Sequence, residues 1–256
     1  MKLTRVAAAI AAADAQFEAH AVAKTLYAVV RVPKISGVVS ADEMKALYKT
    51  QMSSANGQGR AYYDALRNSA PNKKCPLCGV GVVSTLDHHL PQSKYPDLTV
   101  SPLNLVPCCA DCNKAKLAKF PKTPGEQTIH PYFDDFTHAQ WVHAGIHQGP
   151  PLTVSFQASA PIGWNTVDAQ RVVHHFAVYK LASLYGANAN DELVVIKPVL
   201  ARLFATGSSV ALRGHLLEQA SIHSGRLNSW QHALYRDLAN DAWFCGGGFM
   251  AIPESQ

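Results

Sequence analysis

The chain has 256 residues, 48% of them hydrophobic and 16% charged, with a formal net charge of +5. That length and balance suit a folded protein with a sizeable core and exclude a disordered chain, and no run of about eighteen consecutive apolar residues marks a bilayer span. The positive charge is concentrated, because Ala70 to Phe120 holds six lysines against three aspartates, and a basic surface of that kind attracts a polyanion such as nucleic acid.

In chain order, the opening MKLTRVAAAIAAADAQ imitates a secretion signal only loosely, since alanine is weakly hydrophobic and Asp14 interrupts the run. Val6, Ile10 and Phe17 instead fit one face of a helix. A second helix is expected to start at Ser40 with Glu43 three residues on, a capping-box pattern, and to bury Met44, Leu47 and Tyr48. After the break at Gly57–Gly59 comes a short helix with Tyr62 and Leu66, closed near Pro71. The runs Val80–Leu86 and Leu103–Val106 suit strands of a hairpin followed by a helix, and Leu152–Phe156 alternates like a further strand. The remainder is expected to be helical, with Asn165 as a cap, one stripe at Val173, Ala177, Leu181 and Leu184, and another at Leu227, Trp230, Leu234 and Leu238. The expected division is an N-terminal helical segment (1–70), a small cysteine-bearing module (71–120) and a mainly helical C-terminal region with a short β element (121–256), an α+β chain dominated by helix.

Five of the six cysteines fall within 75–112. Cys75 and Cys78 form one C-x-x-C pair and Cys109 and Cys112 another, the spacing that lets two tight turns present four thiolates to one tetrahedral Zn²⁺. Cys108 breaks the spacing and reads as a small buried hydrophobe. Four thiolates close the coordination sphere, so one structural zinc is expected, in a chain that belongs in the reducing cytoplasm. Between the pairs stand Asp87, His88, His89 and Pro91, and overlapping the second stand Asn113 and Lys116. Phosphodiester hydrolysis needs a base, a cation and groups that hold the backbone. Histidine serves as the base near neutral pH, while aspartate and asparagine oxygens suit Mg²⁺.

These residues resemble the HNH endonuclease family: the pair Asp87-His88, Pro91 three residues after the histidine, Asn104-Leu105, and the closing Cys112-Asn113 with Lys116. The resemblance covers about a fifth of the chain; the wider run from Gln92 to Pro96 and from His130 to Asp134 is similar to stand-alone bacterial HNH proteins, some of which belong to anti-phage defence. It implies a ββα-metal module carrying the zinc, His88 as general base, Asp87 and Asn113 on a catalytic divalent cation (Mg²⁺ or Mn²⁺), and Asn104 bracing the loop that orients the base. The family spacing to Pro91 selects His88 over its neighbour. His89 falls where the family usually has an apolar residue and reads first as a packed, hydrogen-bonded ring; as the alternative metal ligand it would favour softer ions such as Ni²⁺. Lys116, Lys94 and Tyr95 are expected to hold substrate phosphates. The expected partner is nucleic acid, DNA in the first instance, with no membrane, and the helical flanks leave room for a protein partner or a homodimer. A zinc-ribbon binding module without chemistry is the competing reading.

Overall fold

In the computed structural model, which describes residues 2–254, the alanine-rich start forms helix α1 (Lys2–Val22), as alanine's low helix cost favours. Val6 and Phe17 are fully buried on it. Asp14 accepts a hydrogen bond from the Ser101 hydroxyl. The chain is a mixed, mainly helical α/β protein, with three two-stranded antiparallel sheets among the described residues, and it divides into two units, Met1–Asp135 and Phe136–Gln256. Segments 1–70 and 71–120 both fall in the first unit, and residues 121–256 are shared between the two.

In the first unit, strands β1 (Lys34–Ile35) and β2 (Val39–Ser40) make a short ribbon. Ser40 then caps α2 (Ala41–Leu47), its hydroxyl taking the Glu43 N–H while the Glu43 carboxylate takes the Ser40 N–H. A π-helical turn, Tyr48–Ser53, follows without a break. Helix α3 (Arg60–Asn68) buries Tyr63, not the adjacent Tyr62, which is 73% exposed. Strands β3 (Thr85–His88) and β4 (Leu105–Cys108) pair with Leu86 opposite Pro107, Asp87 opposite Val106 and His88 opposite Leu105. Strand β3 starts later than the apolar run at Val80 suggests, because residues 75–81 are used in a tight turn: the Cys75 N–H bonds the Gly81 carbonyl and the Gly79 N–H bonds that of Cys75. Helix α4 (Ala110–Lys116) comes directly after β4. Three apolar clusters anchor this assembly: Phe17 with Leu90, Tyr95 and Leu98; Val6 with Ile35 and Met44; and Met52 and Tyr63 with Leu86 and Leu105.

The second unit contains strands β5 (Val142–His147) and β6 (Thr153–Ala158), helix α5 (Thr166–Val178), the long α6 (Leu181–Ile222), α7 (Trp230–Asn240) and the single-turn α8 (Ala242–Cys245). Asn165 caps α5 as its spacing to Asp168 suggests. The buried face of α5 carries Val172, His175 and Phe176, with Tyr179 just past its end, whereas Val173 and Ala177 are exposed. The reason is local: Lys180, at φ +54°, ends α5 before Leu181, so the two helices do not share one continuous face. Trp230, Leu234 and Leu238 form the core stripe of α7, against which α6 packs. A stretch of α6 reaches a mean hydropathy of 1.5 and is long enough to cross a membrane by length and composition, and only 11% of that stretch is buried; elsewhere along the helix Leu193, Leu212 and Leu216 are buried within the unit.

Candidate active site and metal centre

The Sγ atoms of Cys75, Cys78, Cys109 and Cys112 all lie within 4.8 Å of one another and all four residues are buried. The chain brings them together through two tight turns. Gly79 adopts φ +70°, which favours glycine. At Gly81 a Cβ would come within 2.7 Å of the Cys109 Cβ and Sγ, so only glycine lets the first turn close on the second. The Gly81 N–H points at Cys78 Sγ (3.4 Å) and the Cys112 N–H at Cys109 Sγ (3.5 Å), and the latter bond caps α4. Cys108 is buried but outside the quartet, since β4 pairing with Thr85 turns it away.

The quartet can hold a metal ion. A tetrahedron with metal–sulfur bonds of about 2.3 Å has sulfurs about 3.8 Å apart, and Cys78 and Cys109 stand at 3.9 Å. Without a cation the thiols oppose one another. Hydrogen bonding to its neighbours pulls Cys78 below the ordinary thiol range and Cys109, bonded chiefly to Cys112, down to about 7, while Cys75 and Cys112 are pushed up. A dication resolves that conflict by accepting all four as thiolates.

Beside the quartet, Asp87, His88 and Asn113 line a single open cleft of about 400 Å³, together with Tyr48, Tyr63 and Gln92. His88 is buried, and its Nε2 lies 2.8 Å from the Thr99 carbonyl oxygen. A carbonyl only accepts, so Nε2 carries the proton and Nδ1 holds the lone pair. Burial pushes the imidazole down to about 4, the Lys116 ammonium adding to the shift and the Thr99 carbonyl opposing it, so the ring is neutral near pH 7. The Tyr48 ring stands edge-on to His88 at 4.7 Å between centroids, held there by the π-helical turn that follows α2.

Asn104, fully buried, ties the loop after β3 to the segment before β4. Its Oδ1 accepts the Leu90 N–H at 2.7 Å, and its Nδ2 donates to the Leu90 and Leu98 carbonyls at 3.0 and 3.1 Å. These bonds set the start and end of the turn that carries Pro91 to Tyr95 and, through Leu98, the carbonyl of Thr99 next to it.

Two site residues, Lys116 and Tyr95, differ from the sequence expectation, and His89 takes its packed reading in place of the metal-ligand one. Lys116 is buried, 2% exposed, its Nζ 3.0 Å from Asp87 Oδ2 and 2.6 Å from the His88 carbonyl oxygen. Helix α4 ends at Lys116, before Leu117 at φ +53°, and this last-turn lysine folds back over β3; it supports the site and offers no free charge to a phosphate. His89 does not line the cleft. Its ring packs on that of His130 at 4.3 Å, because β3 ends at His88 and the His89 N–H turns to the Asn104 carbonyl. Among the described residues it joins no group of metal-binding side chains. Tyr95 is buried in the apolar cluster around Phe17, edge-on to Phe120, so it is wall and not phosphate ligand; Lys94 is exposed in a neighbouring pocket. His130 bonds the Leu103 carbonyl through Nε2 and rests on Phe17 and Phe133, which fixes the segment to α1. Tyr48, Gln92 and the Thr99 carbonyl are the site groups that sequence reasoning missed. Of these Tyr48 carried a signal as part of the α2 stripe and Gln92 as the start of the Gln92–Pro96 run, while the Thr99 carbonyl carried none. The Asp87 carboxyl is raised above its ordinary value, burial outweighing the adjacent Lys116 ammonium. Asn113, on α4, lines the same cleft.

No protein-family model matches the chain, and no solved structure matches it. It is 31% identical over 228 residues to Protein ea31 of Escherichia phage lambda, an alignment that spans 83% of this chain and 77% of that protein. The chain belongs to the family of phage lambda Protein ea31.

Proposed function

We propose that the protein is a metal-dependent HNH endonuclease that hydrolyses phosphodiester bonds of nucleic acid, DNA in the first instance, with a structural zinc on the cysteine quartet. The observation that carries this reading is the convergence of Asp87, His88 and Asn113 on one cleft, over a β-hairpin and helix whose ends are held by the four cysteines.

The Asp87 carboxylate and the Asn113 side chain would hold a divalent cation such as Mg²⁺ or Mn²⁺, which would supply positive charge for the phosphate and the leaving oxygen. His88 takes the proton of the attacking water at Nδ1, since Nε2–H is committed to Thr99. Tyr48 and the Thr99 carbonyl keep the ring from swinging, and Asn104 fixes the loop that holds that carbonyl. Lys116 orients the Asp87 carboxylate and holds the end of β3 through the His88 carbonyl.

The test is cleavage of supercoiled plasmid, single-stranded DNA and RNA with Mg²⁺, Mn²⁺, Ni²⁺ or EDTA. His88→Ala is expected to lower the rate by about 10²- to 10⁴-fold, the usual worth of a general base, with zinc content unchanged. Cleavage retained at the wild-type rate by this variant would falsify the assignment. A non-catalytic zinc-ribbon reading draws on one observation, the closed Asp87–Lys116 pair. It expects nucleic-acid or protein binding that His88→Ala leaves intact, and no cleavage with any ion.

A further inference from the structure

A second open pocket of about 690 Å³ lies on the other side of the turn that walls the cleft, and Ser93 lines both. Its volume is within the roughly 300–1,000 Å³ of pockets that take small organic ligands. Arg31, Lys94 and Lys122 line it, along with the rings of Tyr27 and Phe120, and no carboxylate does. Among the described residues none of these three cationic groups is in an ion pair. The nearby Glu126 carboxylate is taken by the Lys122 backbone N–H at 2.7 Å. The Arg31 guanidinium carbon lies over the Phe120 ring, 5.1 Å from its centre.

We propose that this pocket binds an unpaired nucleotide next to the bond that is cut, so that the substrate is a single-stranded or locally unpaired nucleic acid. The inference rests on the nuclease reading of the adjacent cleft. Three cations without acidic partners fit backbone phosphates, and a guanidinium plane with aromatic rings fits the face of a base. A base inside a duplex stack cannot enter a concave pocket; an unstacked one can. The turn Pro91–Tyr95 is closed by the Lys94 and Tyr95 N–H groups, both on the Pro91 carbonyl. Ser93 on this turn lines both the hydrolytic cleft and the pocket, so adjacent nucleotides would lodge on either side of it.

Binding is measured by fluorescence anisotropy on zinc-loaded full-length protein without added Mg²⁺, using labelled single strands of DNA and RNA and a hairpin duplex of the same sequence. The expected result is tighter binding of single strands, a loss of about tenfold or more in R31Q/K94A/K122A, and a shallower dependence on salt in that variant. The double variant K94A/K122A, which leaves Arg31 on Phe120, is expected to lose less affinity but to flatten the salt dependence in the same direction. Preference for duplex, or single-strand affinity unchanged in both variants, overturns the pocket. The nuclease reading is scored separately by His88-dependent cleavage: cleavage without these binding effects removes the pocket and keeps the nuclease, while absence of both binding and cleavage removes both. The DNA and RNA arms identify which backbone the pocket prefers.

Discussion

Lys116→Met isolates the one buried ion pair at the site. The substitution keeps the aliphatic stem in place and removes the ammonium that lies 3.0 Å from Asp87 Oδ2, both side chains being nearly inaccessible (3% and 6%). At an effective dielectric of about 20, two unit charges at this distance attract by about 5 kcal/mol. Desolvation offsets much of that in the intact pair, but in the variant the carboxylate stays buried without its partner. The His88 carbonyl loses its 2.6 Å donor as well. Together these are expected to destabilise the first unit by about 3–5 kcal/mol, lowering its melting temperature on the order of 10 °C. Differential scanning calorimetry at pH 8 reads this directly. Protonation of Asp87 is the escape route, so the deficit should shrink as the pH falls. Asp87→Asn/Lys116→Met should recover a good part of the loss, since it removes the orphaned charge. The same variant bears on function: with the ammonium gone, Mg²⁺ is expected to raise the melting temperature more than it does in the wild type. A Lys116→Met protein that melts within about 1 kcal/mol of wild type, or a double variant no better than the single, refutes the role given to this pair.

The cysteine quartet makes a sharp prediction about identity. Cys75→Ser or Cys112→Ser should lower bound zinc below one per chain and loosen the first unit in a melting experiment, while Cys108→Ala should keep its zinc; full zinc and a normal melt in both serine variants would show the quartet to be wrong. His88 contributes a pH term whose sign is fixed by its downward shift to about 4. Between that value and the ordinary value of about 6.5 the unfolded chain binds a proton that the folded ring does not, so stability is complete above about pH 6.5 and falls by about 3 kcal/mol as the pH drops through the window to about 4. His88→Asn, which does not titrate there, should show a shallower stability slope between those pH values, and equal slopes would remove the buried neutral histidine.

What the sequence disclosed depended on how local the cause was. The capping box at Ser40 and Glu43, the Asn165 cap and the α7 stripe are set by residues within one or two turns, and the structure has them where the spacing puts them. The quartet is legible for a related reason: each C-x-x-C turn is a local device, and only their meeting is long-range. The α5 stripe failed at a backbone event, the positive φ of Lys180, which gives no hydrophobic signature. Similarly, Thr99 acts through its carbonyl, which every residue possesses, so no side-chain pattern could have named it.

The fate of the basic residues is more instructive, because charge in a sequence does not say which way a side chain turns. Lys116 and Lys94 contribute equally to the positive count of the central segment, yet one is spent on a buried carboxylate and the other faces solvent. Two local facts decide this. Lys116 occupies the last residue of a seven-residue helix whose N-terminus is capped by Cys109 Sγ, so the quartet fixes the direction in which α4 runs and thereby aims its final turn at Asp87. Lys94 sits on the outside of a turn whose inside, Leu90 and Tyr95, is packed against Phe17. The surface that remains positive is then assembled from parts that sequence distance hides: Arg31 after α1, Lys94 between the strands and Lys122 beyond α4. Thus the cysteines bear on charge as well as on folding, for by orienting α4 they commit one lysine to the carboxylate and leave the exposed cations on the other side of the Pro91–Tyr95 turn.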